Sequence, residues 1–138
     1  MSIKKAIIHV DGAARGNPGP AAIGATIKDE QGNLIARISQ RIGTTTNNQA
    51  EYSAAIAALE KAINSGIKQV ELRSDSELVV KQINGLYRVK KAHLKPLYQQ
   101  VKQLVDSLEG FTITHIPREQ NREADNLANK ALDSALLL

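Results

Sequence analysis

The sequence predicts an α/β fold in which helices flank a five-stranded mixed sheet, with the elements in the order βββαβααβα. Its N-terminal part holds three apolar runs separated by short turns rich in Gly, Pro and Asn, which is typical of an antiparallel meander. Two further strand-like runs alternate with helical periodicities, so those strands require crossover connections. We therefore expect three antiparallel strands followed by two parallel ones.

The three N-terminal strands are expected at residues 3–13, 22–29 and 34–42. The Gly- and Pro-rich segment RGNPGPAA follows the first strand, and the turn EQGN separates the second from the third.

The first helix is expected at residues 49–64, after a polar segment with good N-cap residues and before Gly66. Large apolar side chains recur at helical spacing on one face, and alanine predominates on another. Because alanine allows close packing, this helix can approach the sheet and bring Glu51 down onto it.

The remaining elements alternate between strands and helices. They are a strand at residues 68–74, helices at 76–84 and 96–108, a strand at 111–116, a loop at 117–120 and a helix at 121–136. The basic connector LYRVKKAHLKP joins the two middle helices.

Length and composition fit one compact domain, residues 1–138, with a buried core. No apolar run approaches the roughly 20 residues of a transmembrane helix, and the N-terminus leads straight into a strand pattern. We therefore expect an unprocessed cytoplasmic protein without membrane contact. The absence of Cys excludes thiolate sites, and three scattered His argue against a His-rich zinc site. Any metal should then be a hard, oxygen-bound ion such as Mg²⁺ or Mn²⁺.

The chain is basic, with 18 Lys and Arg against 14 Asp and Glu, and a net charge of +4. When the four acids described next are set aside, 10 acids remain (14 minus 4). This balance is compatible with a polyanionic substrate. Ordinary solubilising charge explains it equally well.

Four acids stand where strands end or helices begin. Asp11 and Asp75 each close an apolar strand, and Glu51 and Asp125 lie in the first turn of a helix. If the two strands are neighbours, their ends lie about 4.8 Å apart, a spacing at which one cation bridges two carboxylates. Four unneutralised acids so close together would repel one another. Their convergence predicts the carboxylates of a two-metal site for phosphoryl transfer.

Each acid also has an ordinary structural explanation. Asp75 precedes a helix that it can cap, and Glu51 is a favourable first-turn acid. Asp11 has no helix to cap within IIHVDGAARGNPG. Only the four acids together favour a metal site.

Four blocks of the chain, DGAARGNPGPAAIG, TNNQAEYSAAIAAL, SDSELVVKQING and NREADNLANKAL, occur in the order seen in type 1 ribonucleases H. The sequence resembles that family along essentially its whole length. The resemblance implies the ribonuclease H-like fold and a monomeric endonuclease that cuts the RNA strand of an RNA/DNA hybrid, leaving 5′-phosphate and 3′-hydroxyl ends. It implies Mg²⁺, or Mn²⁺ in its place, as two ions when substrate is bound. The metal ligands and catalytic acids that it implies are Asp11, Glu51, Asp75 and Asp125.

The resemblance also implies contacts with the substrate. Gly12 would let the backbone approach the RNA closely enough to read a 2′-hydroxyl. Asn17 resembles a turn Asn near the RNA strand, and residues 44–46 can hold a DNA phosphate. Turn and N-cap chemistry is the alternative explanation for such residues. The expected contacts are Gly12, Asn17, Thr46, Asn47, Asn48, Gln49 and Ser76.

Two features depart from the family pattern. Many members carry a His in the loop before the last helix, whereas this loop is PREQN and has Arg118 instead. We expect Arg118 to steer phosphate or product by its charge, because an Arg cannot shuttle protons at neutral pH. His115 is expected inside the preceding strand, in a structural role.

The second departure is the absence of the Lys- and Trp-rich insertion that some bacterial members carry. The short connector can still meet phosphates, or it can remain solvated surface. Its basic residues are Arg88, Lys90, Lys91 and Lys95.

Three alternatives stay open. A hybrid-binding module without catalysis would usually lose an acid, and all four are present. Related nucleases act on DNA or on another duplex such as double-stranded RNA, but Gly12, Asn17 and Asn47 favour an RNA strand. A domain of a larger protein, such as a reverse transcriptase, is the third alternative. The start at Met1, close to the first strand, favours a freestanding enzyme.

The predicted mechanism is in-line attack of a metal-activated water on the scissile phosphorus, with inversion and no covalent intermediate. Asp11 is expected to bridge both ions and to be the most critical ligand.

Overall fold

The computed structural model describes residues 4–134, which are built around a five-stranded sheet. The strands are β1 (Lys5–Ala14), β2 (Gly19–Lys28), β3 (Leu34–Thr45), β4 (Gln69–Ser74) and β5 (Gly110–His115). The helices are α1 (Asn47–Asn64), α2 (Glu77–Ile83), α3 (Lys95–Asp106) and α4 (Arg122–Ser134), with a short 3₁₀ helix at Arg118–Gln120. The predicted order βββαβααβα is confirmed.

The strands lie in the order β3-β2-β1-β4-β5. Both pairs among β1, β2 and β3 are antiparallel, and β4 pairs in parallel with β1 and with β5. The mixed sheet is therefore as predicted, with short turns giving antiparallel pairs and helical crossovers giving parallel ones. Val10 and Ser74 are partners in the parallel pair, so Asp11 and Asp75 follow them at the same edge.

The turn between β1 and β2 is shorter than the sequence predicts. Pairing with β1 already includes Ala21, and β2 begins at Gly19. The backbone N–H of Arg15 donates to the carbonyl oxygen of Pro20 at 2.8 Å and closes the turn, which contains a cis Asn17–Pro18 peptide. The Gly and Pro residues taken as turn are thus partly strand.

Strand β3 runs to Thr45, three residues beyond its expected end, and α1 begins at Asn47, two residues before its expected start. The N-cap of α1 is Thr46, which lies in the polar segment that the sequence predicts to supply it. The Thr46 hydroxyl accepts from the Gln49 N–H at 3.2 Å, and the Gln49 side chain accepts from the Thr46 N–H at 3.0 Å. This reciprocal capping box explains where α1 starts. Other predicted boundaries differ by one or two residues. The expected first residue of β1 and the last two of α4 lie outside the described residues.

Helices α1 and α4 cover opposite faces of the sheet. Alternate residues of β2, such as Ile23 and Ala25, join the core beneath α1, whereas Ala22 packs with Leu132 of α4. On the α4 face, a β-carbon at Gly24 would overlap the backbone of α4, so glycine lets this helix lie directly on β2. That close packing positions the first turn of α4 beside the end of β1. Within residues 4–134, no helix has the length and apolar character needed to cross a membrane.

Candidate active site

Three acids meet at the edge of the sheet where β1 and β4 end. Each of Asp11, Glu51 and Asp75 offers a carboxylate oxygen, and these oxygens all lie within 4.8 Å of one another. Asp11 belongs to β1, and Asp75 follows β4 directly. Glu51 is the fifth residue of α1 and therefore lies in its second turn, not in the first turn as expected, because α1 begins two residues earlier than predicted. Parallel pairing of β1 with β4 thus produces the predicted convergence. A set of oxygen donors at this spacing can hold a hard divalent cation.

The fourth predicted ligand, Asp125, lies in the same cleft but outside this group of three. Its side chain lies close enough to Asp11 to raise the pKa of that acid. Its Oδ1 atom accepts a hydrogen bond from Nδ2 of Asn129 at 3.2 Å. All four acids line a cleft of about 570 Å³. The role of Asp125 as a metal ligand stays a prediction.

Glu51 is held by hydrogen bonds to both of its carboxylate oxygens. The backbone N–H of Gly12 donates to Oε1 at 2.6 Å, and the hydroxyl of Ser74 donates to Oε2 at 3.5 Å. The Ser74 hydroxyl also accepts from the Ser76 N–H at 3.0 Å. Sequence reasoning missed Ser74, although a Ser on the same strand face as Val70 and Leu72 is a signal of a buried polar role.

Gly12 has a packing role in addition to the RNA contact that the sequence predicts. A β-carbon at this position would overlap the carbonyl group of Ala50 and the backbone nitrogen of Glu51. The missing side chain therefore lets α1 approach β1, and the Gly12 N–H reach Glu51. Packing of α1 on β1 is thus a reason for this glycine that the sequence did not reveal. A contact between its backbone and RNA stays a prediction.

Burial makes the ionised form of the inner acids costly. Asp11 and Glu51 are only 6% and 8% exposed. Burial raises the pKa of Asp11 well above its ordinary value, and the neighbouring charge of Glu51 and the contact with Asp125 raise it further. Burial also raises the pKa of Glu51, against the stabilising hydrogen bond from Gly12. Burial therefore favours the protonated forms of this pair when no cation is bound, and a bound cation would replace the protons.

Comparison with known proteins decides the family. A family model described as reverse transcriptase-like matches residues 9–131. The ribonuclease HI of Halobacterium salinarum (strain NRC-1) is 46% identical over 127 residues, which cover 92% of this chain and 64% of that protein. The crystal structure of the RNase H1 from this archaeon matches with a TM-score of 0.92 at 44% identity, covering 94% of this chain and 98% of that one.

The chain belongs to the type 1 ribonuclease H family.

This ribonuclease H chain spans less than two thirds of the length of several curated relatives. It covers 64% of the halobacterial protein and 36% of the bifunctional protein Rv2228c of Mycobacterium tuberculosis, which is 40% identical over 132 residues, or 95% of this chain. A solved structure of LC11-RNase H1 in complex with an RNA/DNA hybrid is 46% identical. It has a TM-score of 0.90 and covers 95% of this chain and 99% of that one.

Two predicted substrate contacts are joined to each other. The Oδ1 atom of Asn17 accepts from the backbone N–H of Asn47 at 3.1 Å. The Oδ1 atom of Asn47 accepts in turn from the N–H of Ala14 at 3.1 Å. These amides therefore fix the β1–β2 turn against the start of α1, beside the acids. Asn47 and Asn48 line the acidic cleft, whereas Asn17 is not among its lining residues.

The remaining predicted contacts cap helices, and one of them, Ser76, also lines the cleft. The capping explanation is confirmed for Thr46 and Gln49, whose side chains form the capping box of α1. Ser76 caps α2, since its hydroxyl accepts from the Val79 N–H at 3.4 Å, and it also lines the cleft. Contacts of these residues with a nucleic acid stay predictions.

Arg118 opens the 3₁₀ helix between β5 and α4, and it is an exposed lining residue of the cleft. It thus lies close enough to the acids for the predicted steering role. His115 lies in β5, as predicted, but it is the last residue of the strand and its side chain is exposed, so the structure does not support the expected structural role.

Sequence reasoning also missed two asparagines around Asp125. Asn121, only 1% exposed, donates from Nδ2 to the Val10 carbonyl oxygen at 2.8 Å, and its own carbonyl accepts from the Asp125 N–H at 3.1 Å. It ties the first turn of α4 to the residue before Asp11. Asn129, four residues after Asp125, orients that carboxylate. The position of Asn121 just before a helix was the available signal.

Proposed function

We propose that this chain is an endoribonuclease that hydrolyses the RNA strand of RNA/DNA hybrids and leaves 5′-phosphate and 3′-hydroxyl ends. The observation that carries the proposal is the cluster of Asp11, Glu51 and Asp75 within 4.8 Å, at the end of adjacent parallel strands of a ribonuclease H fold. Further support comes from LC11-RNase H1, 46% identical and solved with an RNA/DNA hybrid. Residues 1–138 would act as a single ribonuclease H domain.

The proposed cofactor is Mg²⁺, or Mn²⁺ in its place, as two ions when substrate is bound. The proposed ligands are Asp11, Glu51, Asp75 and Asp125. The fit is supported by the oxygen-only donor set and by the raised pKa values of the two buried acids, since both favour a hard cation. The chemistry that such ions supply is activation of the attacking water and neutralisation of the leaving 3′-oxygen.

Within this mechanism, Asp11 is the proposed shared ligand. It interacts with all three other acids, because Glu51, Asp75 and Asp125 each act on its pKa. Hydrogen bonds from Gly12 and Ser74 keep the Glu51 carboxylate in one orientation. A rigid ligand is useful here because small displacements of catalytic groups are costly.

A duplex substrate is supported by two adjoining clefts. Asn48 lines both the acidic cleft and a more apolar cleft of about 490 Å³ beneath the basic connector. The connector residues Arg88, Lys90 and Lys91 line the second cleft. We assign the scissile RNA strand to the acidic cleft and the DNA strand to the connector side, with Asn48 between them.

Contacts near the acids follow from that assignment. Arg118 is the proposed steering charge for phosphate or product. The proposed nucleic-acid contacts are Gly12, Asn17, Thr46, Asn47, Asn48, Gln49 and Ser76.

The decisive experiment incubates the protein with end-labelled RNA/DNA, RNA/RNA and DNA/DNA duplexes of one sequence, each with Mg²⁺, Mn²⁺ or EDTA. We expect cleavage of the RNA strand of the hybrid, with Mg²⁺ or Mn²⁺ only, and products that a 5′-phosphate-dependent exonuclease degrades. Cleavage of DNA/DNA alone would refute the hybrid assignment. Equal cleavage of RNA/RNA would widen the substrate class to double-stranded RNA. Binding of the hybrid without cleavage would indicate a binding module.

The monomeric state and the cytoplasmic location stay predictions. Light scattering of the purified protein and fractionation of cells that express it would check them.

A further inference from the structure

We infer that Arg15 contacts a backbone phosphate of the substrate, and that this phosphate replaces Asp133 as the partner of its guanidinium when the duplex binds. This role rests on the proposed function, because it requires a nucleic acid in the acidic cleft. Arg15 lies on the β1–β2 turn and lines the cleft that holds the four acids.

The charges around the cleft leave a need for such a contact. Four acids line it, and a phosphodiester backbone is itself an anion, so the parts of the strand beyond any bound cation meet a repulsive surface. Arg15 and Arg118 are the cationic residues that line this cleft in the described region. They come from different segments, the β1–β2 turn and the 3₁₀ helix. Arg118 already has a proposed role, whereas Arg15 has none.

The backbone of Arg15 is fixed while its side chain is free to change partner. The backbone N–H of Arg15 donates to the Pro20 carbonyl oxygen at 2.8 Å. The carbonyl group of Arg15 packs so closely on Gly19 that a β-carbon there would overlap it. The guanidinium pairs with Asp133, and the two side chains are 41% and 63% exposed. An exposed ion pair of this kind contributes little stability. A phosphate, which Arg binds in a bidentate way, is a competitive partner.

The position of Asp133 indicates which phosphate is involved. Asp125, Asn129 and Asp133 are spaced four residues apart and therefore lie along one side of α4. Asp133 is eight residues beyond Asp125, about 12 Å along the helix axis. A phosphate that replaces Asp133 is therefore not the scissile phosphate but a neighbour further along the same strand.

The test measures binding of a fluorescein-labelled RNA/DNA hybrid by anisotropy in EDTA, where no cleavage occurs, over a series of KCl concentrations. Arg15→Gln should weaken binding by roughly 3- to 10-fold and reduce the slope of log Kd against log salt by about 1. Two hybrids of unrelated sequence should lose affinity by the same factor, because phosphate contacts carry no sequence information. Arg15→Lys should keep the slope, since it keeps the charge.

Arg37→Gln is the matched control, because Arg37 is an exposed arginine on β3 that lines a different depression. It should leave the affinity and the slope unchanged. Asp133→Asn should bind the hybrid as tightly as the wild type or up to roughly 5-fold more tightly. In this variant Arg15 has no ion pair with residue 133 that must break before the phosphate binds. Thermal melting of each variant verifies that the fold is intact.

Each outcome has a distinct meaning. If Arg15→Gln behaves like Arg37→Gln, Arg15 makes no phosphate contact. If Asp133→Asn loses as much affinity as Arg15→Gln, the ion pair supports the turn structurally, and the exchange of partners is refuted. If the wild-type protein neither binds nor cleaves the hybrid, the proposed function fails before the role of Arg15 is reached.

Discussion

The two sides of the acidic cleft differ in how the protein holds its carboxylates. The inner pair, Asp11 and Glu51, is almost fully buried, and the Gly12 N–H fixes Glu51 through a hydrogen bond of 2.6 Å. The outer pair, Asp75 and Asp125, is only half-buried. Burial raises the pKa of both inner acids, whereas the outer acids keep contact with solvent. The inner carboxylates are therefore held in fixed positions and need positive charge to compensate them. The outer carboxylates can change their orientation.

The buried acids and the half-exposed acids therefore have different tasks in the same site. Burying two carboxylates is costly unless a cation or protons compensate them, so the inner pair creates the demand for metal. Half-exposed carboxylates lose less hydration and can shift as substrate arrives. On the outer side, the Asp125 carboxylate accepts a single side-chain hydrogen bond, from the amide of Asn129, among those that the described residues form.

The largest effect is expected for Asp11→Asn. The change removes the carboxylate that interacts with the three other acids, and it should reduce cleavage of a labelled hybrid by roughly 1,000-fold or more. The melting temperature should not fall, because an amide needs no compensating proton. Asp125→Asn, on the outer side, should reduce cleavage by roughly 10- to 100-fold. Equal losses in the two variants would break the distinction between the pairs.

Gly12→Ala should show that the inner side depends on backbone packing. The new methyl group would overlap the carbonyl of Ala50, so we expect a loss of unfolding free energy of about 3 kcal/mol, at the upper end of overpacking costs. Gly32→Ala is the control, because it adds strain at a positive φ of 87° but meets no atom within 4 Å, and it should cost about 1 kcal/mol. Urea denaturation measures both. A smaller loss for Gly12→Ala than for Gly32→Ala would show that α1 can move away from β1.

The metal-free protein should lose stability as pH rises. The pKa of Asp11 and of Glu51 is raised in the folded state, so above about pH 4 these two groups bind more protons in the folded chain than in the unfolded chain. The free energy of unfolding should therefore fall as pH rises from about 4 towards the raised values. Asp11→Asn should flatten this dependence, and so should saturating Mg²⁺. Urea titrations at several pH values in EDTA test this, and identical profiles for wild type and Asp11→Asn would contradict it.

The smallest effect is expected for Asn129→Ala. Loss of the hydrogen bond to Asp125 should raise the Mg²⁺ concentration for half-maximal cleavage by up to roughly 10-fold, because the outer carboxylate is then less well oriented. The melting temperature should stay within a few degrees of the wild-type value. Lys130→Ala, an exposed neighbour on α4, is the control and should change neither quantity. An unchanged Mg²⁺ requirement in Asn129→Ala would mean that Asp125 needs no support.

Most of the fold was predictable because its signals are local. Apolar runs, turn residues and caps predict the element order and the mixed sheet. The N-cap of α1 lies in the polar segment that was expected to supply it, and α1 begins two residues earlier than expected. The boundaries near Gly19 and Thr45 were wrong because strand pairing extended regular structure into residues that favour turns. Pairing energy between strands overrides such local preferences.

By itself the sequence determined that Asp11, Glu51 and Asp75 meet, because Asp11 and Asp75 end two strands and Glu51 lies near the start of a helix. Only the tertiary structure decided how each acid is held. The contact of Gly12 with Glu51 joins residues 39 positions apart, and that of Asn121 with Val10 joins residues 111 apart. Contacts of this kind depend on how α1 and α4 pack on the sheet, and no local pattern encodes that packing. As a result, Asp11 and Glu51 are buried, whereas Asp75 and Asp125 are half-buried.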